Sequence, residues 1–288
     1  AKKIDQKTNI EQLFGVAISA TLSTNYEKKG SHRFHIAVQT RDFSQSISCI
    51  LNKGQRTREE EEELVTEFVI ALISDCCGFE FKYPEIKEDV EHIQIPAQKG
   101  WADLMSEKIK FVTSSNQQPK LIFPGAFNPM HDGHIAMSEL ANKELSEEVF
   151  FEICIQNVDK PPLSYHQIKK TIDQFTDSKN WVLTKAGKFS DKAKLFPNST
   201  FIIGADTLVR IFDERFYASR REMMEEFEIF NANNNNFLVF GREYKNKFIE
   251  LNDIQVPDSI KSRFRGFGEN IFRKDVSSST IRAQNSEE

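Results

Sequence analysis

The sequence has few cysteines, no long apolar run and no excess of positive charge, and each shortage excludes a class of protein. The four cysteines, Cys49, Cys76, Cys77 and Cys154, lack the spacing of a metal site, so we expect free thiols in a reducing compartment. No apolar run approaches the roughly 18 residues that cross a bilayer, so we expect no membrane span. A net charge of −5, from 38 basic and 43 acidic residues, argues against nucleic acid as a partner.

The first residues, AKKIDQKTNI, also lack the features of a targeting segment. They carry neither the apolar stretch of a signal peptide nor the arginine-rich pattern of a transit peptide. We therefore expect a cytoplasmic protein. A transit peptide removed before Ala1 would leave the same pattern, which makes the mitochondrial matrix the alternative.

What the sequence does contain is enough for two domains. It has 288 residues, of which 39% are hydrophobic and 25 are phenylalanine, so any core should be rich in aromatic rings. The polar, proline-bearing stretch TSSNQQPK, residues 113–120, is predicted to be a linker. It divides the chain into a first domain of residues 1–112 and a second of residues 121–288.

The first domain shows strand patterns followed by one long helix. GVAISATLST predicts a buried strand, and HRFHIAVQT alternates apolar and polar residues, which is typical of a half-buried strand. The helix is predicted to begin at Thr57, with Glu60 as the second member of a capping box. The run Glu59 to Glu63 complements the positive end of that helix, and we prefer this interpretation to a metal site.

The second domain alternates strands and helices, which predicts a parallel sheet covered on both faces. Ligands bind such sheets at the carboxyl ends of the strands. The predicted strands are residues 121–123, 149–155, 181–184, 200–203 and 237–240, and the predicted helices are residues 135–143, 165–175 and 207–227.

The stretch PGAFNPMHDGHIAM follows the first of these strands and predicts an anion site. Gly125 lets backbone N–H groups approach a phosphate closely, and Gly133 leaves space where a helix begins. His131 and His134 share a face of the first turn of that helix, whose positive end also attracts anions. A zinc site would need a third ligand, and His166 is only a distant candidate, so we expect no resident metal.

GAFNPMHDGH resembles the G-x-F-x-P-x-H-x-G-H signature of the nucleotidylyltransferases, a superfamily with a Rossmann-like fold of the HUP type. VSSSTIR, residues 276–282, is similar to their second signature, I-S-S-T-x-x-R, with Ser279 at the threonine position. The resemblance implies an α/β fold with a parallel sheet and a nucleotide site at its edge.

Within the superfamily, the sequence most resembles the nicotinamide mononucleotide adenylyltransferases. FIIGADTLVRI is similar to their G-x-D strand end, and KPPLSYHQIKKTIDQF with NWVLT is similar to their substrate-side stretch. The implied acceptor-binding residues are Lys160, Tyr165 and Trp181. The alternative for Lys160 is an ordinary surface lysine without a role in binding.

The resemblance implies transfer of a nucleoside monophosphate from ATP or CTP to a phosphorylated acceptor such as nicotinamide mononucleotide, with release of pyrophosphate. A Mg²⁺ ion bound by the substrate is expected, together with a nucleoside triphosphate and a small phosphorylated acceptor as partners. For Asp206, the alternative to nucleotide binding is a structural role as the N-cap of a helix. The implied catalytic residues are His131, His134 and Arg282, and the implied nucleotide-binding residues are Gly125, Ala126, Phe127, Gly133, Gly204, Asp206, Ser277, Ser278 and Ser279.

Residues from Gly15 to Gly78 resemble the latter half of the CinA-like domain, whose members include nicotinamide nucleotide deamidases. The E-S-x-T-G-G catalytic stretch of that family has no counterpart here, so we expect no deamidase activity and a structural role, in dimerisation or ligand recognition. Two alternatives remain for the whole chain. One is a catalytically silent subunit that binds nucleotide or takes part in a larger complex or homo-oligomer, and the other is a nucleotide sensor without turnover.

Overall fold

The computed structural model describes residues 13–156, 161–175 and 179–284, which form two compact units. The first unit contains the chain up to Ser106 together with Ser164–Lys169, and the second contains Glu107–Leu163 and the chain from Lys170 onwards. The predicted boundary at residue 112 therefore lies inside the second unit. The physical reason is a short strand at Phe111–Thr113, which pairs with a strand of the second unit.

The first unit is a four-stranded antiparallel sheet with one long helix. The strands follow one another in the sheet in chain order. The elements are β1 (Gly15–Thr21), β2 (His32–Gln39), β3 (Phe43–Leu51), α1 (Arg58–Cys76), β4 (Val90–Pro96) and the short α2 (Trp101–Met105).

The alternation in β2 and the start of α1 are confirmed. Every second side chain of β2 is buried against α1. Thr57 Oγ1 accepts a hydrogen bond from the Glu60 N–H at 3.2 Å, and the Glu60 carboxylate accepts one from the Thr57 N–H at 2.7 Å. This is the reciprocal pattern of a capping box.

The prediction that β1 is buried was wrong. The strand forms, but it lies at the edge of the sheet, and all seven of its residues are exposed or half-buried. Val16 and Ile18 have exposed fractions of 39% and 53%. The pattern of small and β-branched residues predicts a strand correctly, but the position of that strand in the sheet depends on non-local pairing.

The second unit is built on a seven-stranded sheet in the order β13-β10-β9-β6-β7-β8-β5. All neighbours are parallel except β5 and β8, which are antiparallel. Five of these strands are confirmed predictions, whereas β5, β13 and a separate hairpin of β11 and β12 were not predicted. The bounds are β5 (Phe111–Thr113), β6 (Leu121–Pro124), β7 (Val149–Cys154), β8 (Asn180–Thr184), β9 (Thr200–Gly204), β10 (Asn236–Phe240), β11 (Arg242–Tyr244), β12 (Lys247–Ile249) and β13 (Phe264–Phe267).

Helices connect these strands, and one predicted helix was wrong. The segment predicted as a single helix over residues 207–227 contains two helices and a 3₁₀ turn. The Asp213 side chain accepts a bond from Arg215 N–H and the Ser219 side chain accepts one from Glu222 N–H, so each starts a new element. The helices are α3 (Asp132–Leu145), α4 (Tyr165–Ile172), α5 (Phe189–Leu195), α6 (Ala205–Ile211), α7 (Arg220–Ala232) and α8 (Ser278–Gln284).

The strand order determines where a ligand can bind in the second unit. The parallel strands β6 and β9 are neighbours, and the order in which the chain adds strands reverses between them. From β6 the chain continues to β7 and β8 on one side, and from β9 it continues to β10 and β13 on the other. At such a point the connections leave in opposite directions, and a crevice opens at the carboxyl ends of the two strands. The core beneath is aromatic, as expected, with fully buried rings that include Phe150, Phe201, Phe227 and Phe237.

Candidate functional site

A cleft opens at the reversal point of the sheet. Its walls come from the first turn of α3, the end of β9, the residues after β10 and the segment before α8. The lining side chains combine two cations and one imidazole with glycines and apolar residues, and they include His131, Gly133, Gly204, Arg242 and Lys274. Two predicted residues of the first signature, His131 and Gly133, therefore line one cleft with Gly204 of the G-x-D strand end.

His131 is buried without partners for its ring. Its exposed fraction is 8%, and neither Nδ1 nor Nε2 makes a hydrogen bond within the described residues. Buried polar atoms in proteins are nearly always paired, so two unpaired nitrogens on one ring indicate a group that binds something else. Gly133 makes room for this ring, because a Cβ there would lie 3.0 Å from its atoms.

His134 stacks on His131 and has a defined tautomer. The ring centroids are 3.7 Å apart and the ring planes differ by 25°. The backbone N–H of His131 donates to Nδ1 of His134 at 3.3 Å. Since Nδ1 acts as the acceptor, the proton of the neutral ring lies on Nε2, which is therefore a donor.

Both imidazoles are uncharged at neutral pH. Burial, together with the neighbouring His131 and Arg242, lowers the pKa of His134 to about 3. Burial and Arg242 also lower the pKa of His131. Two stacked imidazolium ions would repel each other as well. The pair can thus donate and accept hydrogen bonds, while the positive charge of the site comes from arginine and lysine.

The loop before α3 requires a glycine at position 125 because a side chain packs over it. The Phe127 ring is buried and covers Gly125, where a Cβ would lie 2.6 Å from the ring. The Gly125 N–H donates to the Glu152 carbonyl at 3.0 Å and is therefore not available to a phosphate. By contrast, the N–H groups of Ala126 and Phe127 donate to no acceptor in the part of the chain that the structure describes.

The second signature meets the first at this loop. Ser278 Oγ donates to the Pro129 carbonyl at 2.8 Å, and the Arg282 guanidinium donates to the Asn128 carbonyl. Ser277 Oγ accepts from the Thr280 N–H at 3.1 Å, which caps the start of α8. Two segments about half a chain apart therefore form one site. The predicted contacts of these serines with phosphate stay predictions, as does that of Ser279, a residue of α8 whose side chain lies outside the description.

Asp206 lies beside Arg242, one of the residues that line the cleft. Asp206 Oδ1 lies 3.9 Å from Arg242 Nε, is buried, and makes no hydrogen bond within the described ranges. The alternative role of Asp206 as a helix cap was wrong, because α6 begins at Ala205 with Gly204 as its N-cap. Sequence reasoning missed Arg242. Its position directly after a strand of the parallel sheet, in FGREY, is the signal that could have identified it.

Two of the predicted acceptor residues, Tyr165 and Trp181, are described by the structure, and neither is among the residues that line this cleft. Tyr165 belongs to the first unit, where its OH donates to the Arg41 carbonyl at 2.6 Å and its ring packs on Trp101. Since Tyr165 is only 1% exposed, the prediction that it contacts an acceptor was wrong. Trp181 is the second residue of β8, towards the amino end, which does not favour a contact at the carboxyl edge. Lys160 lies outside the described residues.

Among the residues that are described, no three His, Cys, Asp or Glu side chains are grouped so that they could hold a metal ion. All four cysteines are free thiols. In the same residues, no helix combines the length and the apolar character that crossing a membrane requires.

Comparison with known proteins identifies the family. The model of the cytidylyltransferase-like family matches residues 122–284, which is more than half of the 288 residues and includes the whole site. The chain belongs to this family and is a member of the nucleotidylyltransferase superfamily.

Comparisons with individual proteins add less. One similar solved structure is Plasmodium falciparum nicotinic acid mononucleotide adenylyltransferase complexed with NaAD, with 17% identity over 58% of this chain and 83% of that chain. Its TM-score of 0.33 is too low to support any conclusion about function. No curated protein matches the chain. The CinA-like resemblance of the first unit stays a prediction.

Proposed function

We propose that this protein transfers a nucleoside monophosphate from ATP or CTP to a phosphorylated acceptor such as nicotinamide mononucleotide. The observation that carries the proposal is the meeting of the two signatures at one loop. There, Ser278 and Arg282 bond to residues that precede His131, a buried and uncharged residue whose ring nitrogens make no hydrogen bond in the described chain.

The reaction needs no nucleophile from the protein. A phosphate oxygen of the acceptor attacks the α-phosphorus, the bond from the α-phosphorus to the bridging oxygen breaks, and that oxygen leaves with pyrophosphate. Catalysis then consists of positioning and of stabilising the charge that develops on phosphate oxygens. The Nε2–H of His134, the ring of His131 and the amides of Ala126 and Phe127 are neutral groups suited to that task.

Cationic side chains provide the charge that the imidazoles lack. Arg242 and Lys274 line the cleft, and Arg282 lies beside the loop. A guanidinium binds phosphate oxygens with two parallel N–H donors, which is suited to a leaving pyrophosphate. The charged groups and the neutral donors thus have separate roles.

The donor set fits a Mg²⁺ ion that the triphosphate and water hold. Such an ion needs only one or two protein carboxylates, and Asp206 has a buried oxygen without a hydrogen-bond partner in the described chain. When bound, the ion would neutralise charge on the triphosphate. Lys160 and Trp181 stay candidates for the acceptor side.

The test is pyrophosphate release by the purified chain with Mg²⁺, ATP or CTP, and a panel of phosphorylated acceptors that includes nicotinamide and nicotinic acid mononucleotides. Release that depends on one acceptor is expected, and His134→Ala should abolish most of it while His35→Ala, on an exposed strand position, should not. Tight triphosphate binding without release for any acceptor would indicate a sensor. No binding at all would indicate a catalytically silent subunit, and either result overturns the proposal.

A further inference from the structure

The loop that carries the histidines, residues 127–130, is held mainly by side chains from distant parts of the chain. Three successive carbonyls each accept a hydrogen bond: Phe127 from Gln174, Asn128 from Arg282 and Pro129 from Ser278. Two of these donors belong to the second signature. The third, Gln174, belongs to neither signature and has no role in the proposed chemistry.

Gln174 bonds to both ends of this loop. Its Nε2 donates to the Phe127 carbonyl at 2.8 Å, and its Oε1 accepts from the Met130 N–H at 2.8 Å. A single side-chain amide therefore spans four residues of backbone. The next residue, Phe175, adds an edge-to-face contact with the Phe127 ring, with the centroids 5.8 Å apart.

The loop needs such support because its backbone is strained and because the ring of the residue that follows it has no hydrogen bond of its own in the described chain. Phe127 has a φ of 44°, in the left-handed region that non-glycine residues rarely adopt. His131 follows Met130 directly, and its ring nitrogens make no hydrogen bond in the described part of the chain. The position of this ring therefore depends on the backbone that leads to it.

We propose that Gln174 is a positioning residue, which clamps residues 127–130 so that His131 and His134 meet the phosphates in the productive geometry. The inference rests on the proposed function for its catalytic part only. Gln174 acts through the loop and touches neither reacting group, whereas Ser278 and Arg282 can also contact a substrate themselves.

The main test is Gln174→Met, which keeps the length of the side chain but removes both hydrogen bonds to the loop, together with a longer one of 3.3 Å from Nε2 to the Thr171 carbonyl. We expect kcat for pyrophosphate release to fall by about 10- to 100-fold, since a displacement near 1 Å of catalytic groups has effects of that size. The KM for the triphosphate should change far less, and the backbone amide hydrogen of Met130 should exchange with solvent faster. Gln255→Ala, at an exposed glutamine of the same unit, is the matched control and should change none of these.

Gln174→Glu tests the hydrogen bonds to Phe127 and to Met130 separately. The carboxylate can still accept from the Met130 N–H, but it has no donor for the Phe127 carbonyl. We expect slow exchange at Met130, as in the unmodified chain, together with a reduced kcat. Thermal unfolding of each variant shows that the chain is folded, and if Gln174→Met does not fold, Gln174→Glu supplies the kinetic test.

The outcomes distinguish this inference from the proposed function. Unchanged exchange at Met130 in Gln174→Met would show that the clamp does not exist. Faster exchange with an unchanged kcat would show that the clamp does not position the histidines. If the unmodified chain releases no pyrophosphate with any acceptor, the proposed function fails and the positioning role fails with it, while exchange at Met130 still decides whether the clamp exists.

Discussion

The two units contain histidines that are equally buried but differently satisfied. His32 of the first unit has an exposed fraction of 7%, and His131 of the second unit has one of 8%. His32 Nδ1 lies 2.8 Å from the carboxylate of Glu61, which is itself fully buried and also accepts from the Ser23 N–H at 2.6 Å. The ring nitrogens of His131 have no partner among the described residues.

This difference separates a structural histidine from a functional one. Removing a polar group from water costs free energy unless a hydrogen bond replaces the one lost, so a satisfied pair such as His32 and Glu61 is part of a stable core. An unsatisfied ring such as His131 lowers the stability of the folded chain and is explained when a ligand completes its hydrogen bonds. Burial alone would not distinguish the two residues.

The largest effect that tests this comparison is expected for His134→Ala. Loss of one donor to a transition state costs about 2.7–4 kcal/mol of barrier, so kcat should fall by about 100- to 1,000-fold. Thermal stability should fall by less than the barrier rises, because the half-buried ring loses its edge contacts with Phe123 and Phe127 but no hydrogen bond within the core. A pyrophosphate assay measures kcat, and a melting curve measures thermal stability. A loss of activity that matches a loss of folded protein would contradict a catalytic role.

His32→Ala should have the opposite signature. It leaves Glu61 buried with only the Ser23 N–H as a partner, which should destabilise the first unit by about 3 kcal/mol. Urea unfolding followed by circular dichroism measures the loss. The kcat of molecules that remain folded should equal that of the unmodified chain, and a specific fall in kcat would show that the distinction between the two histidines is wrong.

Acid should destabilise the second unit through His134. In the unfolded chain a histidine has a pKa of about 6.5, whereas burial holds the pKa of His134 at about 3. Between these values the unfolded state binds more protons, so stability is complete above pH 6.5 and falls as the pH decreases. At pH 5 the loss should approach about 2 kcal/mol. Urea unfolding at pH 7, 6 and 5 tests this, and His134→Gln should flatten the dependence.

The smallest effect concerns the cap of α1 in the first unit. Thr57→Ala removes the side chain that accepts from the Glu60 N–H and should cost about 1 kcal/mol. Thr66→Ala is the matched control, because Thr66 lies on an exposed position within the same helix and bonds only to the Glu62 carbonyl. Equal effects of the two substitutions in urea unfolding would mean that the cap contributes nothing specific.

Much of the second unit could be predicted because its signals are local. The strands β6, β7, β8, β9 and β10 are apolar runs bounded by polar residues, and all five are confirmed. β5 and β13 were missed because they have three and four residues, too few for a periodic pattern, and they exist only through pairing with β8 and β10. The break within residues 207–227 was missed because helical spacing continues across two side-chain caps.

The site was predicted in part for the same reason. His131 and His134 lie in one short motif, and Arg282 lies in another, so both could be recognised without a structure. Arg242 lies in no motif, and Gln174 lies in the stretch similar to the substrate side of the family but was given no role there. Tyr165 was assigned to an acceptor because its stretch resembles the substrate side of the nicotinamide mononucleotide adenylyltransferases, but it is buried against Arg41 and Trp101, which are far from it in the chain.

The sequence by itself determined the elements whose causes lie within a few residues: the capping box of Thr57, the alternation of β2, and a histidine pair at the start of a helix after a strand. The tertiary structure alone decided what those groups contact. The bonds that hold the histidine loop join residues 47, 149 and 154 positions apart. Such bonds form only after the chain has folded, because each of them needs two segments that only the packed sheet brings within hydrogen-bond distance.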